Sequence, residues 1–179
     1  ETVANCNARC PFCPLYGPEA EMTRPKGFMP LDLFEKVVRD IQPYREKVRV
    51  IWLCFQGEPL MDPHFEERMS LLKDAELAAK VIILTNAEFL SEAKAEAIVR
   101  AGIGMINPAF DGASKEVYEA HRVRCHYETV LENLRRFVEL RNRLNGTTRL
   151  AIQYVRTPHN QHEVEAAYRM WQGILSSGL

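Results

Sequence analysis

The sequence lacks the features of two large classes of protein, those that bind nucleic acid and those that span a membrane. It has no excess of positive charge, because 23 Lys and Arg stand against 24 Asp and Glu and give a formal net charge of -1. A phosphate backbone is bound by a positive field, so nucleic acid is not expected as a main partner. Long apolar runs are also missing, since residues 50–55 and 81–84 are strand-sized and far short of the ~20 residues of a membrane-spanning helix. No membrane contact is expected.

Linkers and low-complexity segments are missing too. A chain of 179 residues with 46% hydrophobic content can bury one full core, so we expect a single domain over residues 1–179. The chain begins with Glu1 rather than Met and reaches its first motif at once, so we expect a piece of a longer protein. The absence of a signal peptide then carries little weight.

Cysteine is scarce, and its number is odd. Five cysteines at this density are typical of an intracellular protein rather than of a disulfide framework, which favours a cytoplasmic location. Cys54 lies in an apolar run and Cys125 beside basic residues, and both are interpreted as small packing residues. The other three stand close together in the run Cys-Asn-Ala-Arg-Cys-Pro-Phe-Cys-Pro, as Cys6, Cys10 and Cys13.

This cysteine loop (residues 6–13) indicates a metal centre. Three thiolates can hold three irons of a four-iron cluster, and no fourth cysteine stands nearby in the sequence to bind the last iron. Clusters used only for electron transfer normally have four protein ligands, so an open iron points to a small molecule in that position. Phe12, between Pro11 and Pro14, adds one apolar side chain beside the metal. A zinc site stays the alternative, although it would need another Cys or His, and the first histidine is His64.

Strands alternate with helices along the rest of the chain. The patterns predict helices at 31–44, 63–75, 91–101, 114–122, 127–144 and 161–176, and strands at 48–56, 80–85, 105–110 and 149–155. Ser91 is the expected N-cap of its helix, and Gly102 its end. Residues 48–56 read as a strand buried on both faces, and Trp52 and Trp171 are expected in the core. The alternation indicates an α/β fold whose parallel sheet curls toward a barrel through right-handed crossovers.

Polar residues fall at the ends of the predicted strands. Gln56-Gly57-Glu58-Pro59 ends one strand, Thr85-Asn86 the next and Phe110-Asp111-Gly112 a third, while Gln153 lies on the last. The cysteine loop is expected to follow a first strand at the start of the chain. Because the C-terminal ends of parallel strands in a barrel converge on one mouth, all these residues are predicted to share it.

This combination resembles the radical S-adenosylmethionine (SAM) family, in particular its enzymes with a C-terminal SPASM domain. The resemblance rests on the spacing of the three cysteines, with an aromatic residue before the third, and on three further runs. These runs are Phe-Gln-Gly-Glu-Pro-Leu-Met-Asp-Pro (55–63), Thr-Asn-Ala-Glu-Phe-Leu (85–90) and Phe-Asp-Gly-Ala-Ser-Lys-Glu-Val-Tyr-Glu-Ala-His-Arg (110–122). The resemblance implies a partial (β/α)6 TIM-like barrel, with the sixth strand and the SPASM region beyond Leu179.

The resemblance also implies two cofactors. Cys6, Cys10 and Cys13 would hold a [4Fe-4S] cluster whose last iron is chelated by the amino and carboxylate groups of SAM. The residues implied as cofactor contacts are Phe12, Gly57, Glu58, Pro59, Asn86, Asp111, Arg122 and Gln153. Glu58 would accept from the amino group of SAM, and the fork of Arg122 would meet its carboxylate.

Two positions depart from the family pattern. Ala109 stands where a serine often reaches the cofactor, which leaves Asn107 or Asp111 as substitutes for a ribose contact. Ala87 replaces the usual glycine after Thr-Asn.

The implied activity is reductive cleavage of SAM, which gives a 5′-deoxyadenosyl radical that abstracts hydrogen from a peptide or small-molecule substrate, including sugar-type natural products. The protein would contribute positioning rather than acid-base chemistry, so no catalytic side chain is assigned. An electron donor such as flavodoxin or ferredoxin is the implied protein partner. A non-catalytic iron-sulfur or zinc-binding domain on a degenerate barrel stays the alternative.

Overall fold

Strands and helices alternate in the computed structural model, which describes residues 1–18, 20, 23, 25–54 and 56–176. The described residues form a parallel sheet in the order β1-β2-β3-β4. The strands are β1 (Ile51–Trp52), β2 (Val81–Thr85), β3 (Met105–Pro108) and β4 (Arg149–Leu150). The helices are α1 (Leu31–Ile41), α2 (Phe65–Asp74), α3 (Glu92–Ala101), α4 (Lys115–His121), α5 (Tyr127–Arg143) and α6 (Val164–Ser176). The predicted α/β class, a partial TIM-like barrel, is confirmed.

The register of the sheet brings the polar strand ends to one edge. β2 and β3 pair from Ile82 with Met105 to Thr85 with Pro108. A single parallel bridge between Ala109 and Gln153 continues the pairing of β3 and β4 beyond the strands themselves. The segments that follow the strands therefore meet at the C-terminal edge of the sheet, which is the mouth expected for a barrel of this type.

The core lies between the sheet and the helices that cover it. Buried side chains from β2, β3, α2, α3 and α5 form one cluster, which includes Ile83, Ile106, Leu72, Ile98 and Phe137. The predicted ends of α3 are confirmed: Ser91 Oγ accepts a hydrogen bond from Lys94 N at 3.3 Å, and Gly102 closes the helix with φ 72°. A left-handed residue at this position suits glycine, which has no Cβ.

The strand predicted at 48–56 is much shorter than expected, and its exposure was predicted wrongly. Only Ile51–Trp52 belong to β1, and Phe55 lies outside the described residues. Val50 is 44% exposed and Trp52 51%, whereas Trp171 is 5% exposed as expected. β1 is the edge strand of the described sheet, so it has one neighbour rather than two. Residue composition predicts a strand but not its position in the sheet.

The strand expected before the cysteine loop is not part of this sheet. Instead, Val3 forms an antiparallel bridge with Phe28, flanked by hydrogen bonds from Ala4 N to Gly27 O and from Met29 N to Thr2 O, both 2.8 Å. The cysteine loop still reaches the mouth, because Asn5 O accepts a hydrogen bond from Glu58 N at 2.8 Å. None of the helices in the described part of the chain is long and apolar enough to cross a membrane.

Candidate functional site

A cavity of about 520 Å³ opens at the C-terminal edge of the sheet. The predicted site residues that line it are Cys6, Cys10, Phe12, Cys13, Gly57, Glu58, Asn86, Arg122 and Gln153. Pro59 and Asp111 are buried and lie outside this lining. The fold thus gathers residues from five separate stretches of sequence around one space.

The cysteine loop is folded by its own hydrogen bonds and by an arginine. Cys13 N donates to Cys10 O at 3.0 Å, and Arg9 Nη1 donates to the carbonyl oxygens of Cys6 at 2.8 Å and Ala8 at 2.7 Å. Arg9 N also donates to Val123 O at 2.9 Å, which ties the loop to the segment after α4. These contacts hold the three thiols on one wall of the cavity without a disulfide.

The donor set suits an iron-sulfur cluster. Burial, with the carboxylate of Glu58, raises the pKa of Cys6 to about 12, and burial also raises the pKa of Cys10. Metal binding would therefore release protons from the loop, since the thiolate is the ligand. Across the described ranges, no three His, Cys, Asp or Glu side chains lie close enough to share one metal ion. In a four-iron cluster each thiolate binds a different iron, so the thiols need to share a wall rather than one point.

Glu58 both binds the protein and faces the cavity. It is 2% exposed, and its Oε2 accepts from Asn86 N at 2.7 Å while its Oε1 accepts from Leu60 N at 3.1 Å and Thr85 Oγ1 at 2.5 Å. Burial raises the pKa of Glu58 above its usual range, although these hydrogen bonds and the charge of Arg122 lower it in part. A carboxylate can accept about four hydrogen bonds, so one place on Oε2 is left for a ligand.

Gly57 explains why the Glu58 loop and the start of the chain can touch. A Cβ at this position would lie 1.9 Å from Val3 O and 2.9 Å from Asn5 O, so any side chain would collide with backbone. The missing side chain lets Glu58 N reach Asn5 O and brings the cysteine loop beside the carboxylate. Pro59 then begins a short 3-10 turn, Pro59–Met61.

Within the described part of the chain, Arg122 is the cation that lines the cavity. Its Nε donates to Asp111 Oδ2 at 2.5 Å, its Nη1 donates to Cys10 Sγ at 3.7 Å, and its Cζ lies 5.2 Å from the ring centre of Phe12. Burial alone would lower the pKa of the guanidinium, but Asp111 and Cys10 raise it by more, so Arg122 stays charged. Asp111 is fully buried and holds Arg122 from behind.

Ala109 occupies the position where a serine often stands in the family, and neither Asn107 nor Asp111 takes its place in the described cavity lining. Ala109 lines the cavity, whereas neither of the expected substitutes does. Asp111 is paired with Arg122, and Asn107 Nδ2 donates to Ala151 O. Both side chains are thus engaged with the protein.

Asn86 and Gln153 complete the polar wall. Asn86 Nδ2 donates to Asn7 Oδ1 at 2.8 Å and lies 4.0 Å from Cys6 Sγ. The next residue, Ala87, has φ 61°, the left-handed conformation that glycine adopts more easily, and Asn133 Nδ2 donates to its carbonyl at 3.0 Å. The backbone of Gln153 is fixed by the bridge to Ala109, and the residue lines the cavity.

Sequence reasoning missed Cys54 as part of this wall. It was interpreted as a packing residue, but it lines the same cavity as the three motif cysteines. Burial and Glu58 raise its pKa to about 12. Its place two residues before Gln56, at the end of a predicted strand, is the signal that could have found it. Cys125 is buried, and its Sγ accepts from Asn7 Nδ2 at 3.8 Å.

The comparison with known families decides the assignment. The sequence model of the radical SAM superfamily matches residues 1–169. This chain belongs to that superfamily. No curated protein sequence matches it.

Solved structures agree with this membership at the level of the fold. BtrN, in complex with AdoMet and 2-DOIA, is 18% identical with a TM-score of 0.60, over 86% of this chain and 55% of BtrN. SuiB of Streptococcus suis, bound to precursor peptide SuiA, is 15% identical with a TM-score of 0.65, over 91% of this chain and 34% of SuiB. A radical SAM methyltransferase from Sphaerobacter thermophilus is 15% identical with a TM-score of 0.51, over 99% of this chain and 62% of that protein. The radical SAM chain therefore spans about a third to three fifths of these proteins.

Proposed function

We propose that this radical SAM chain is the core of an enzyme that binds a [4Fe-4S] cluster on Cys6, Cys10 and Cys13 and SAM in the adjoining cavity. The supporting observation is that the three thiols and the Glu58 carboxylate line one cavity at the C-terminal edge of the sheet. When bound, the cluster supplies the electron that cleaves SAM into methionine and a 5′-deoxyadenosyl radical, which takes a hydrogen atom from the substrate.

The side chains of the cavity wall would bind and orient SAM. The free acceptor position on Glu58 suits the ammonium of the methionine part, and the charge of Arg122 suits its carboxylate. Asn86 and Gln153 offer polar contacts from the sides.

Apolar residues of the same wall would exclude water. Leu15, Leu84 and Val155 line the cavity beside the polar groups. Keeping water away protects a reactive species from side reactions and holds the reacting atoms in one geometry. The contribution of the protein is positioning.

One observation favours a second candidate, a metal-binding domain without SAM chemistry. Cys54 brings a fourth thiol to the same cavity, and a fourth thiolate on the last iron would close the cluster and leave no iron for SAM. The two candidates differ in the ligand of the last iron.

Anaerobic reconstitution of the protein with iron and sulfide separates them. We expect brown protein with about four irons per chain, as the four-iron cluster requires. Cys10→Ala should lose the iron, whereas the matched variant Cys54→Ala should keep it. Equal loss of iron in both variants would favour a cluster closed by four cysteines, and colourless protein that retains zinc would contradict the cluster itself.

Activity is tested on the full-length protein that carries this chain. Given SAM and dithionite without oxygen, it should release 5′-deoxyadenosine and methionine even without its substrate. If protein with an intact cluster releases none, while a known radical SAM enzyme assayed alongside does, the non-catalytic alternative is correct.

The finer parts of the proposal concern the substrate, the electron donor, a further domain and the cellular location. SuiB is bound to a precursor peptide and BtrN is in complex with 2-DOIA, and we propose a peptide or sugar-type natural product as the substrate class here. A low-potential donor such as flavodoxin or ferredoxin would supply the electron. A SPASM domain after this core and a cytoplasmic location stay predictions.

A further inference from the structure

The guanidinium of Arg122 contacts the cysteine loop at two points. Its Nη1 donates to Cys10 Sγ at 3.7 Å. Its Cζ lies 5.2 Å from the ring centre of Phe12, which stands between the second and third cysteines. Among the described residues it is the cation that reaches a motif sulfur, since Asn86, whose Nδ2 lies 4.0 Å from Cys6 Sγ, is neutral.

Arg122 is held in this position from behind. Asp111 Oδ2 accepts from its Nε at 2.5 Å, and Asp111 Oδ1 accepts from Val155 N at 2.7 Å. Asn160, fully buried, donates from Nδ2 to Asp111 O at 3.0 Å and to Val155 O at 2.9 Å. The loops after β3 and β4 therefore fix Asp111, and Asp111 fixes the direction of the guanidinium.

Such a cation on a cluster ligand has an electrostatic consequence. One-electron reduction adds a negative charge to a cluster that three thiolates already surround with negative charge. Hydrogen bonds to the ligand sulfurs and nearby charge are among the main determinants of cluster potential. A guanidinium at hydrogen-bond distance from Cys10 Sγ stabilises the reduced form.

We infer that Arg122, oriented by Asp111, is a positioning residue that raises the reduction potential of the cluster through Cys10, before SAM binds. This role rests on the proposed cluster, and it differs from pairing with the SAM carboxylate because it requires no SAM. In this role the buried Asp111 need not touch the cluster, because it acts by orienting the guanidinium of Arg122.

The test is a redox titration of reconstituted protein, followed by the EPR signal of the reduced cluster, in the absence of SAM. Dithionite supplies the electron, and the cluster passes from its 2+ to its 1+ core. We expect Arg122→Gln to lower the ratio of reduced to oxidised cluster at a fixed potential by about tenfold, which is ~59 mV for a one-electron couple. Arg122→Lys keeps the charge but cannot reach Asp111 and Cys10 with one fork, so a smaller shift in the same direction is expected.

Arg9→Gln is the matched control. Arg9 also holds the cysteine loop, but its guanidinium donates to the carbonyl oxygens of Cys6 and Ala8 rather than to a sulfur. A role that is only structural predicts similar midpoints for Arg9→Gln and Arg122→Gln, and that result would overturn the inference. If Arg122→Gln holds no iron, Arg122→Met, which also removes the charge, is titrated in its place, and a wild-type midpoint in that variant would overturn the inference. Failure of the wild-type protein to assemble a cluster would remove the proposed function itself, so the two failures are distinguishable.

Discussion

Glu58 shows how one side chain serves the fold and the ligand at once. It joins the loop after β1 to the end of β2 by accepting from Leu60 N, Thr85 Oγ1 and Asn86 N. These three bonds fix both carboxylate oxygens before any ligand arrives. A group held in this way loses little entropy on binding, which favours affinity.

Replacing Glu58 by Gln should therefore weaken SAM binding. It should also cost stability, because the amide nitrogen would face a donor from which the carboxylate now accepts. The amide keeps one acceptor but loses the negative charge, and a hydrogen bond to a charged group contributes about 1.5–3 kcal/mol. We expect the Kd for SAM, measured by anaerobic calorimetry on the cluster-loaded protein, to rise about tenfold to a hundredfold.

Glu88→Gln is the control for this measurement. Glu88 follows the same strand as Asn86, but its carboxylate bonds to His126 and does not line the cavity. The Kd of the Glu88→Gln variant for SAM should stay within about twofold of the wild-type value. Equal weakening in both variants would show that Glu58 has no specific contact with SAM.

At the scale of single elements, the start of α5 depends on a histidine-carboxylate pair. His126 is the residue before α5, its N donates to Glu88 Oε2 at 2.8 Å, and its Nδ1 lies 2.6 Å from Glu88 Oε1. The side-chain hydrogen bond with Glu88 and the charge of that carboxylate raise the pKa of His126. The helix is thus tied to the loop that carries Asn86.

This pair predicts a pH dependence of stability. Because the folded pKa of His126 is raised, its contribution is full below the unfolded value of about 6.5 and is lost as the pH rises through the folded pKa. His126 is exposed, so the effect is about 0.5 kcal/mol or less after solvent screening. The free energy of unfolding, measured in urea at several pH values, should fall with rising pH in this range in the wild-type protein. The same fall should be absent from His126→Gln and from Glu88→Gln. If both variants keep the same pH dependence as the wild-type protein, the dependence comes from other titrating groups.

At the scale of the whole molecule, one ion pair is buried away from the cavity. Arg68 on α2 donates from Nε to Asp62 Oδ2 at 2.7 Å, with side-chain exposures of 1% and 0%. Arg68 Nη2 also donates to Met29 O, and its Cζ lies 4.7 Å from the ring centre of Phe34 on α1. The pair therefore joins α1, α2 and the segment before α1.

Removing one member of this pair should be costly. Arg68→Met leaves the Asp62 carboxylate buried without its partner, and breaking a buried pair in this way costs about 3–5 kcal/mol. The measurement is the free energy of unfolding in urea. Arg100→Ala, which breaks an exposed pair with Glu96, is the control and should cost less than about 1 kcal/mol.

The double variant of the buried pair sharpens this prediction. Asp62→Leu together with Arg68→Met removes both charges and should be more stable than Arg68→Met alone. A double variant as unstable as the sum of the single changes would show that packing, rather than the stranded charge, sets the cost.

Features that depend on local sequence patterns could be predicted from the sequence. Features that depend on neighbours in the folded structure could not. The spacing of the cysteines and the Gly-Glu-Pro run are local, and the mouth of the sheet follows from strand-helix alternation; the structure brings both to one cavity. Cys54 and Arg68 were not predicted, because an apolar run and a helical pattern do not reveal which side chain faces a cavity or a buried partner. The prediction that Trp52 is buried was wrong for the same reason, since a strand at the edge of a sheet can have the same composition as a central one.

The unequal burial of the two tryptophans gives the molecule two optical probes of its own. Trp52, half-exposed on β1 and two residues before Cys54, should emit at long wavelength and be quenched by iodide. Trp171, 5% exposed and edge-on to Phe110 at 5.0 Å, should emit at shorter wavelength and escape that quencher. Fluorescence of the unlabelled chain therefore separates events at the edge of the sheet from loosening of the core beside Asp111.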